Sequence, residues 1–509
     1  IYTAGFEPPL SIALAMGLEE TFFLFFANLA GLGAAVVLGR RMTGGSVTGM
    51  VLFLMVMLGA QGLIMTQDLF NLFVFLEISS IATYSLIAIE RNSRSMSAGF
   101  KYIIAGGIAS ALFLIGTIYL YRIAGSLAIA DIIAAQPAAA GAAGITAVFL
   151  LTAALLIELK PFPANGWALD VYQAVQSGVV SVIAVVNSAA VLFALYKVFP
   201  MLPTKLISAL LWIGIITFFA SNLIGLRQSD VKRMLGYSSS AQIGLLISAL
   251  SLSNLYGWSP KLQLLVFATV FFGHLFSKAG LFWLTEVQGE ANWHRWSGPA
   301  KTGGILLLGV FIAALAGLPP FPTFWAKWVL VKSIILQQPL FVILLLIGSL
   351  SEAVYLLRWF GRTVHLRRAA MTAGPAAKLA DGLAAERADG HEAAGSAASQ
   401  APDSSPTPAP ATWPTPARVA VPAFLAAVLL AAGGVLAGLA ADVQVLMFVP
   451  LAAGLILALF TWMPSRLIGF VAAGLVTATA AVYVPQMEGI SAVFALVFYG
   501  GGLLMLIAT

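Results

Sequence analysis

The chain has 509 residues, 60% of them hydrophobic and only 9% charged, a balance foreign to water-soluble globular domains. It contains no cysteine, which excludes disulfides, iron–sulfur clusters and thiolate metal sites. The formal net charge of +6 does not point to nucleic acid, because the basic residues are divided unevenly between loops. Apolar runs of about 20 residues recur along the chain, and each is long enough to cross a bilayer as a helix. None alternates with a period of two, so a β-barrel is excluded. The fold class is all-α, a polytopic membrane helix bundle.

In chain order, membrane helices are expected at 17–39, 46–65, 67–89 and 99–122. Next come a broken helix at 144–175 and helices at 178–198, 204–226, 232–253 and 262–286. A second broken helix at 302–337 and a helix at 340–362 complete a transmembrane core, residues 1–362. Residues 124–136 are too short an apolar stretch to span and suit the interface. Residues 363–417 form a linker, whose stretch 369–417 is rich in Ala, Pro, Ser and Gly and ends in QAPDSSPTPAPATWPTPA. The C-terminal region, 418–509, is expected to add helices at 418–440, 443–462, 466–485 and 488–508.

Lys and Arg set the orientation. If each helix crosses once, one face collects Arg40, Arg41, Arg91, Arg94, Lys101, Arg227, Lys232, Arg233 and most later arginines. The other receives little beyond Arg122, Lys197, Lys205 and Lys261. The first face is therefore cytoplasmic, the linker lies on that side, and the membrane is a prokaryotic plasma (inner) membrane.

Glu77 lies inside the apolar run Leu69–Ile89. A carboxylate at bilayer depth costs roughly 2.5–3.5 kcal/mol on insertion scales, so it should face protein or water and mark a path. Glu158, Lys160, His274, Lys278, Lys327 and Glu352 repeat this arrangement on later helices. His274 and Lys278 are four residues apart and share a helix face. Each broken helix carries a lysine beside its break: Lys160 before Pro161 and Pro163, Lys327 after Pro319, Pro320 and Pro322. Proline opens a helix, and open backbone at membrane depth is tolerated where protein or a wet cavity satisfies it. Broken helices beside charges are typical of transporter sites, and two such sets suggest two related halves, arranged as inverted repeats. Glu352 reads as mainly structural. Ser238, Ser239 and Gln242 read as hydrogen bonds between helices.

The segments QDLFNLFVFLE (67–77), ELKPFPANGWALDVYQA (158–174), LRQSDVKRMLGYSSSAQIG (226–244), HLFSKAGLF (274–282) and GLPPFPTFWAKWVLVK (317–332) come in a recognisable order. They resemble the antiporter-like subunits shared by respiratory complex I, membrane-bound hydrogenases and Mrp-type Na+/H+ antiporters. The wording of 67–77 looks closest to the Mrp D subunit and its complex I counterpart. The resemblance implies that Glu77 pairs with a lysine on the first broken helix, for which Lys160 is the candidate. It implies that His274 and Lys278 form the central polar helix, and that Lys327 is the terminal lysine. Trp167 and Asp170 match residues that follow the first break. The family begins with two helices not found before residue 17, and the chain begins at Ile1, so further residues are expected to precede it.

Three departures stand out. Counted back from Pro163, the family lysine falls at Glu158, and a histidine after the break is replaced by Asn165. The lysine of the following helix falls near Ser188, where there is no base, so water with Asn187 or Ser188 would have to replace it. The resemblance implies an H+-translocating subunit, with Na+ as a candidate second ion, of a hetero-oligomeric membrane complex. The leading reading is Mrp-type antiport. The alternatives are a pumping subunit of a complex I-like or hydrogenase-type redox complex, and a non-conducting scaffold. No cofactor, metal, nucleotide loop or bond-making chemistry is expected in this chain; its surroundings are lipid and partner subunits.

Overall fold

A computed structural model describes residues 11–39, 47–286, 292–296, 302–372 and 416–440. Among these, eleven helices are long and apolar enough to cross a membrane. They begin with α1 (Leu18–Leu38), α2 (Thr48–Met65), α3 (Leu69–Ala88) and α4 (Ser93–Ala124). The start of α3 is fixed by Asp68, whose side chain accepts from the Asn71 amide at 2.8 Å. Asn92 does the same for α4, accepting from the Ser95 amide at 2.8 Å. Such caps satisfy amides that the helix leaves orphaned and are worth about 1 kcal/mol each. A short helix α5 (Ile129–Ala134) follows, with Ile129 and Ile132 buried, in the stretch expected at the interface.

The first broken helix is α6 (Ala142–Leu159) and α7 (Gly166–Ala174). Lys160 ends α6 in the left-handed region at φ 58°, a conformation unusual for a side chain of this size. Next, α8 (Ser177–Met201) is buried along its whole apolar window. Its residues Val182–Asn187 form a π-helical turn, and Ser188 Oγ donates to the Ile183 carbonyl, five residues back, at 3.2 Å. π-turns of this kind occur mostly as single turns, frequently at functional sites.

The second half comprises α9 (Thr204–Gly225), α10 (Val231–Tyr256) and α11 (Pro260–Thr285). The second break lies between α12 (Thr302–Ala316) and α13 (Pro322–Ile334), where Gly317 takes φ 76°. α14 (Pro339–Thr372) runs ten residues past its expected end at 362, so that boundary falls inside a helix. α4 is likewise longer than expected and begins at Ser93. In both cases polar and basic residues continue the helix beyond the apolar run.

α15 (Pro416–Ala440) packs on α11 and on the second break. Gly434 lies against the backbone of Pro320 and Phe321, and a Cβ there would collide with the Pro320 carbonyl. Residues 373–415 of the linker and the helices expected at 443–462, 466–485 and 488–508 lie outside the described residues. α8, α10 and α11 are the most buried spans, while α4 forms part of the rim. The charged residues singled out in the sequence sit on the helices around that centre.

Candidate functional site

At the first half, four helices are joined by one hydrogen-bonded chain. Ser79 Oγ on α3 donates to Asn187 Oδ1 on α8 at 2.7 Å. Asn187 Nδ2 reaches the Tyr102 hydroxyl on α4 at 3.5 Å, and that hydroxyl donates to Glu158 Oε2 on α6 at 3.2 Å. Glu158 is 1% exposed, so it relies on these donors and on charges nearby. Lys160, also buried, turns toward α8 and donates to Ser188 Oγ at 3.1 Å. Its ammonium lies 5.9 Å from the centroid of the Trp167 ring, which stacks on Tyr102.

Glu77 is half-buried and lies close enough to Glu158 to act on it electrostatically. It forms no ion pair with Lys160. The left-handed turn at Lys160 carries its ammonium to Ser188 instead, while Glu158, in the last turn of α6, is the charged group within electrostatic reach of Glu77.

His274 occupies the middle. Its imidazole lies against the backbone of Ala184 in the π-turn, within electrostatic reach of both Lys160 and Lys278. Neither ring nitrogen makes a well-formed hydrogen bond, although the Ala184 backbone is within reach of the ring. Lys278, fully buried, donates to the Leu235 carbonyl at 3.0 Å and is in electrostatic reach of Glu352. Glu352 is 0% exposed. It accepts from Ser238 Oγ at 2.6 Å and from Gln242 Nε2 at 3.0 and 2.8 Å. Lys327 approaches it at 3.4 Å, with its ammonium 5.3 Å from the Phe218 ring centroid.

The result is an ordered series: Glu77, Glu158, Lys160, His274, Lys278, Glu352, Lys327. Each member acts on the next through charge or contact. The sign alternates enough that no buried charge stands far from an opposite one, which keeps the desolvation cost bearable. A proton moving along such a series changes the pairing of its neighbours, so the groups titrate as a coupled set.

Two sequence expectations are relocated. Glu352, read as mainly structural, is the ion-pair partner of Lys327 and lies between it and Lys278. Asp170 is off the series. It sits between Lys101 at 2.5 Å and Arg233 at 2.8 Å, clamping α7 to α4 and α10. Tyr102 and Ser79 were not singled out in the sequence. Their only signal is a hydroxyl within an apolar span, which many core residues share.

Residues 66–351 match the family described as NADH:quinone oxidoreductase/Mrp antiporter, transmembrane. NADH-quinone oxidoreductase subunit N of Desulforudis audaxviator is 34% identical over 377 residues, covering 70% of this chain and 74% of that protein. The subunit N of Sulfurovum is 30% identical over 302 residues, 54% of this chain, and the chain spans 59% of its length. Among solved structures, the archaeal membrane-bound sulfane sulfur reductase complex aligns with a TM-score of 0.68 at 25% identity, over 86% of this chain and 82% of the matched one. The Mrp complex from Dietzia aligns with a TM-score of 0.66 at 21% identity, over 93% and 89%, a likeness of fold.

Proposed function

This chain belongs to the NADH:quinone oxidoreductase/Mrp antiporter transmembrane family, and on that basis we propose that it is the proton-translocating subunit of a redox-driven membrane complex. The run of seven ionisable groups from Glu77 to Lys327 carries this reading, because it joins both breaks through the centre of the bundle. The relatives named above are subunits of quinone oxidoreductases, which favours a redox driver over a stand-alone carrier. Moving one charge against 100 mV requires about 2.3 kcal/mol, which this chain's own residues have no bond chemistry to supply. Its partners are therefore other membrane subunits and a catalytic module, in a bacterial inner membrane with the linker on the cytoplasmic side. The contact of Asp170 with both Lys101 and Arg233 supports that sidedness, since it gathers basic residues of two helices at one face.

Lys160 also bears on the scaffold alternative. The helix α8 lacks a base at Ser188, yet Lys160 brings a cation to that point, so the first half keeps an ionisable group there. A second reading, Mrp-type antiport, rests on the family description, which names the Mrp antiporter beside the oxidoreductase. The test is the purified complex in sealed vesicles, with a pH dye inside and turnover started by its electron donor. Proton uptake or release that vanishes in Lys327→Met at equal electron-transfer competence supports the proposal. Normal pumping in that variant overturns it, and pH change driven by an imposed Na+ gradient alone would favour antiport.

A further inference from the structure

Arg227, Arg358 and Arg362 are exposed at the ends of α9 and α14, on the side from which the linker departs. The turn 292–296 ties them together. The Trp293 indole donates to the Gln228 carbonyl at 2.8 Å, next to Arg227. The Arg358 guanidinium lies over the same indole, 5.7 Å from its centroid. Arg362, one turn further along α14, donates through Nε to the His294 carbonyl at 3.3 Å. Neither Arg358 nor Arg362 forms an ion pair among the described residues. Asp230, whose backbone bridges to Asn292 beside Trp293, spends its carboxylate on the Arg233 amide at 2.9 Å and on Gln173 at 3.2 Å.

The faces that carry these arginines continue into the apolar spans. On α14, Ile343, Ile347, Leu350 and Val354 precede Arg358 at steps of three or four residues, and the first three are exposed. On α9, exposed Ile216 and Leu223 precede Arg227 in the same way. The two helices pack directly, with Gly225 of α9 against the Tyr355 ring and Gly348 of α14 against the Phe218 ring. The arginines therefore head two lipid-facing stripes on neighbouring helices. Charges that only fix topology need no aromatic platform or carbonyl to orient them, and a water-soluble anion needs no apolar stripe.

We propose that Arg227, Arg358 and Arg362 bind the headgroup phosphate of an anionic phospholipid whose acyl chains lie along the α14 stripe. Arginine forks can grip two phosphate oxygens at once, and basic pockets between membrane helices attract anionic headgroups. Tryptophan such as Trp293 is at home at headgroup depth. A lipid held there braces the helix that carries Glu352, about 9 Å of helix rise from Arg358. The site does not depend on the proton path.

The test uses the detergent-purified complex with phosphatidylglycerol, whose bound copies are counted by native mass spectrometry. The parent should retain one molecule more than Arg358→Gln/Arg362→Gln and should not exchange it for phosphatidylcholine. Arg91→Gln/Arg94→Gln removes the same charge from another helix end and should retain it. Arg358→Lys/Arg362→Lys keeps the charges that orient the chain, so it should insert normally. It should nonetheless bind the lipid at least about threefold more weakly, because an ammonium lacks the planar fork. Equal retention by the parent and the Gln variant overturns the site. Parent-like binding by the Lys variant reduces it to surface charge and overturns it too. Displacement by excess inorganic phosphate would assign the arginines to a free anion instead of a lipid. If parent and Gln variant differ only after Asp381, Glu386, Asp389 and Glu392 are changed to amides, the linker occupies the arginines in the intact chain and the lipid is excluded.

Discussion

Lys160 Nζ donates to Ser188 Oγ at 3.1 Å, so a lysine that ends one broken helix supplies the charge that its neighbouring helix lacks. The left-handed backbone at Lys160 makes this reach achievable, since a helical residue there would project along α6. Lys160→Met should therefore cost proton transport at least about tenfold, equivalent to about 1.4 kcal/mol on the barrier. Ser188→Ala should cost less, because the lysine keeps its charge and its place near Trp167. Rates of both variants in vesicles, at matched complex content, check the order. A larger loss for Ser188→Ala than for Lys160→Met would contradict it.

Lys327 and Glu352 invite a double-mutant cycle. Glu352→Gln alone leaves the Lys327 ammonium without its ion-pair partner in a dry site, and breaking a buried pair from one side typically costs 3–5 kcal/mol. Lys327→Met alone leaves the carboxylate with Ser238 and Gln242 as donors, a milder loss. Removing both should restore much of the stability while transport stays lost. Thermal unfolding of the purified complex gives the stability arm, and the coupling energy should exceed roughly 0.5 kcal/mol for groups in contact. Additive effects would mean that the pair does not interact as drawn.

The helices were legible in the sequence because apolar length alone defines a membrane span. Both breaks were legible too, since Pro161, Pro163, Pro319, Pro320 and Pro322 leave no continuous helix. Helix ends were less so. α14 continues to Thr372 through Arg362, Arg367 and Arg368, where hydropathy no longer marks the helix. The site was legible as a set of charges but not as a pairing. Which residue faces Glu77 depends on the backbone turn at Lys160, and no spacing rule gives a lysine a left-handed conformation. Lys197 illustrates the same limit. The sequence places it at a helix end among the few basic residues of the second face, yet it is buried and its ammonium caps the end of α2 through the carbonyls of Ile64 at 2.5 Å and Thr66 at 2.6 Å.

Glu90 supplies a pH test outside the spans. Burial raises its carboxyl above the ordinary glutamate value, and Glu286 adds to that. The Gln176 amide, Lys232 and Asn92 oppose the shift without cancelling it. A carboxyl raised in the folded state favours the protonated form there. Its ionisation therefore weakens the fold as pH rises through the raised value, and the penalty is relieved as pH falls toward the unfolded value. Glu90→Gln can still accept from the Gln176 amide, a bond of 3.0 Å in the parent. The variant should thus gain stability relative to the parent as pH rises above the ordinary glutamate range, and the gain should shrink in acid. Unfolding midpoints of both proteins across pH 4–8, a window set about the reference glutamate value, follow the trend. A gain that grows toward acid would reverse the assignment.

Glu77 should be the most sensitive position at the head of the series. It is half-buried, accepts no hydrogen bond among the described residues, and has the buried Glu158 as its charged neighbour. Two carboxylates and one lysine within electrostatic reach share protons as a unit, so the state of Glu77 decides how strongly Glu158 and Lys160 attract each other. Glu77→Gln keeps size and polarity but removes the like charge that opposes Glu158. Glu158 and Lys160 then form a closed pair, and the proton has no acceptor at this end. Assembly should survive, because the position has no protein hydrogen bond to lose, while donor-driven pH change in vesicles should fall at least about tenfold. Glu77→Asp keeps the charge with a shorter reach and should retain part of the activity. Parent-like transport by Glu77→Gln would mean that the proton enters the series beyond α3, at Glu158 or Lys160.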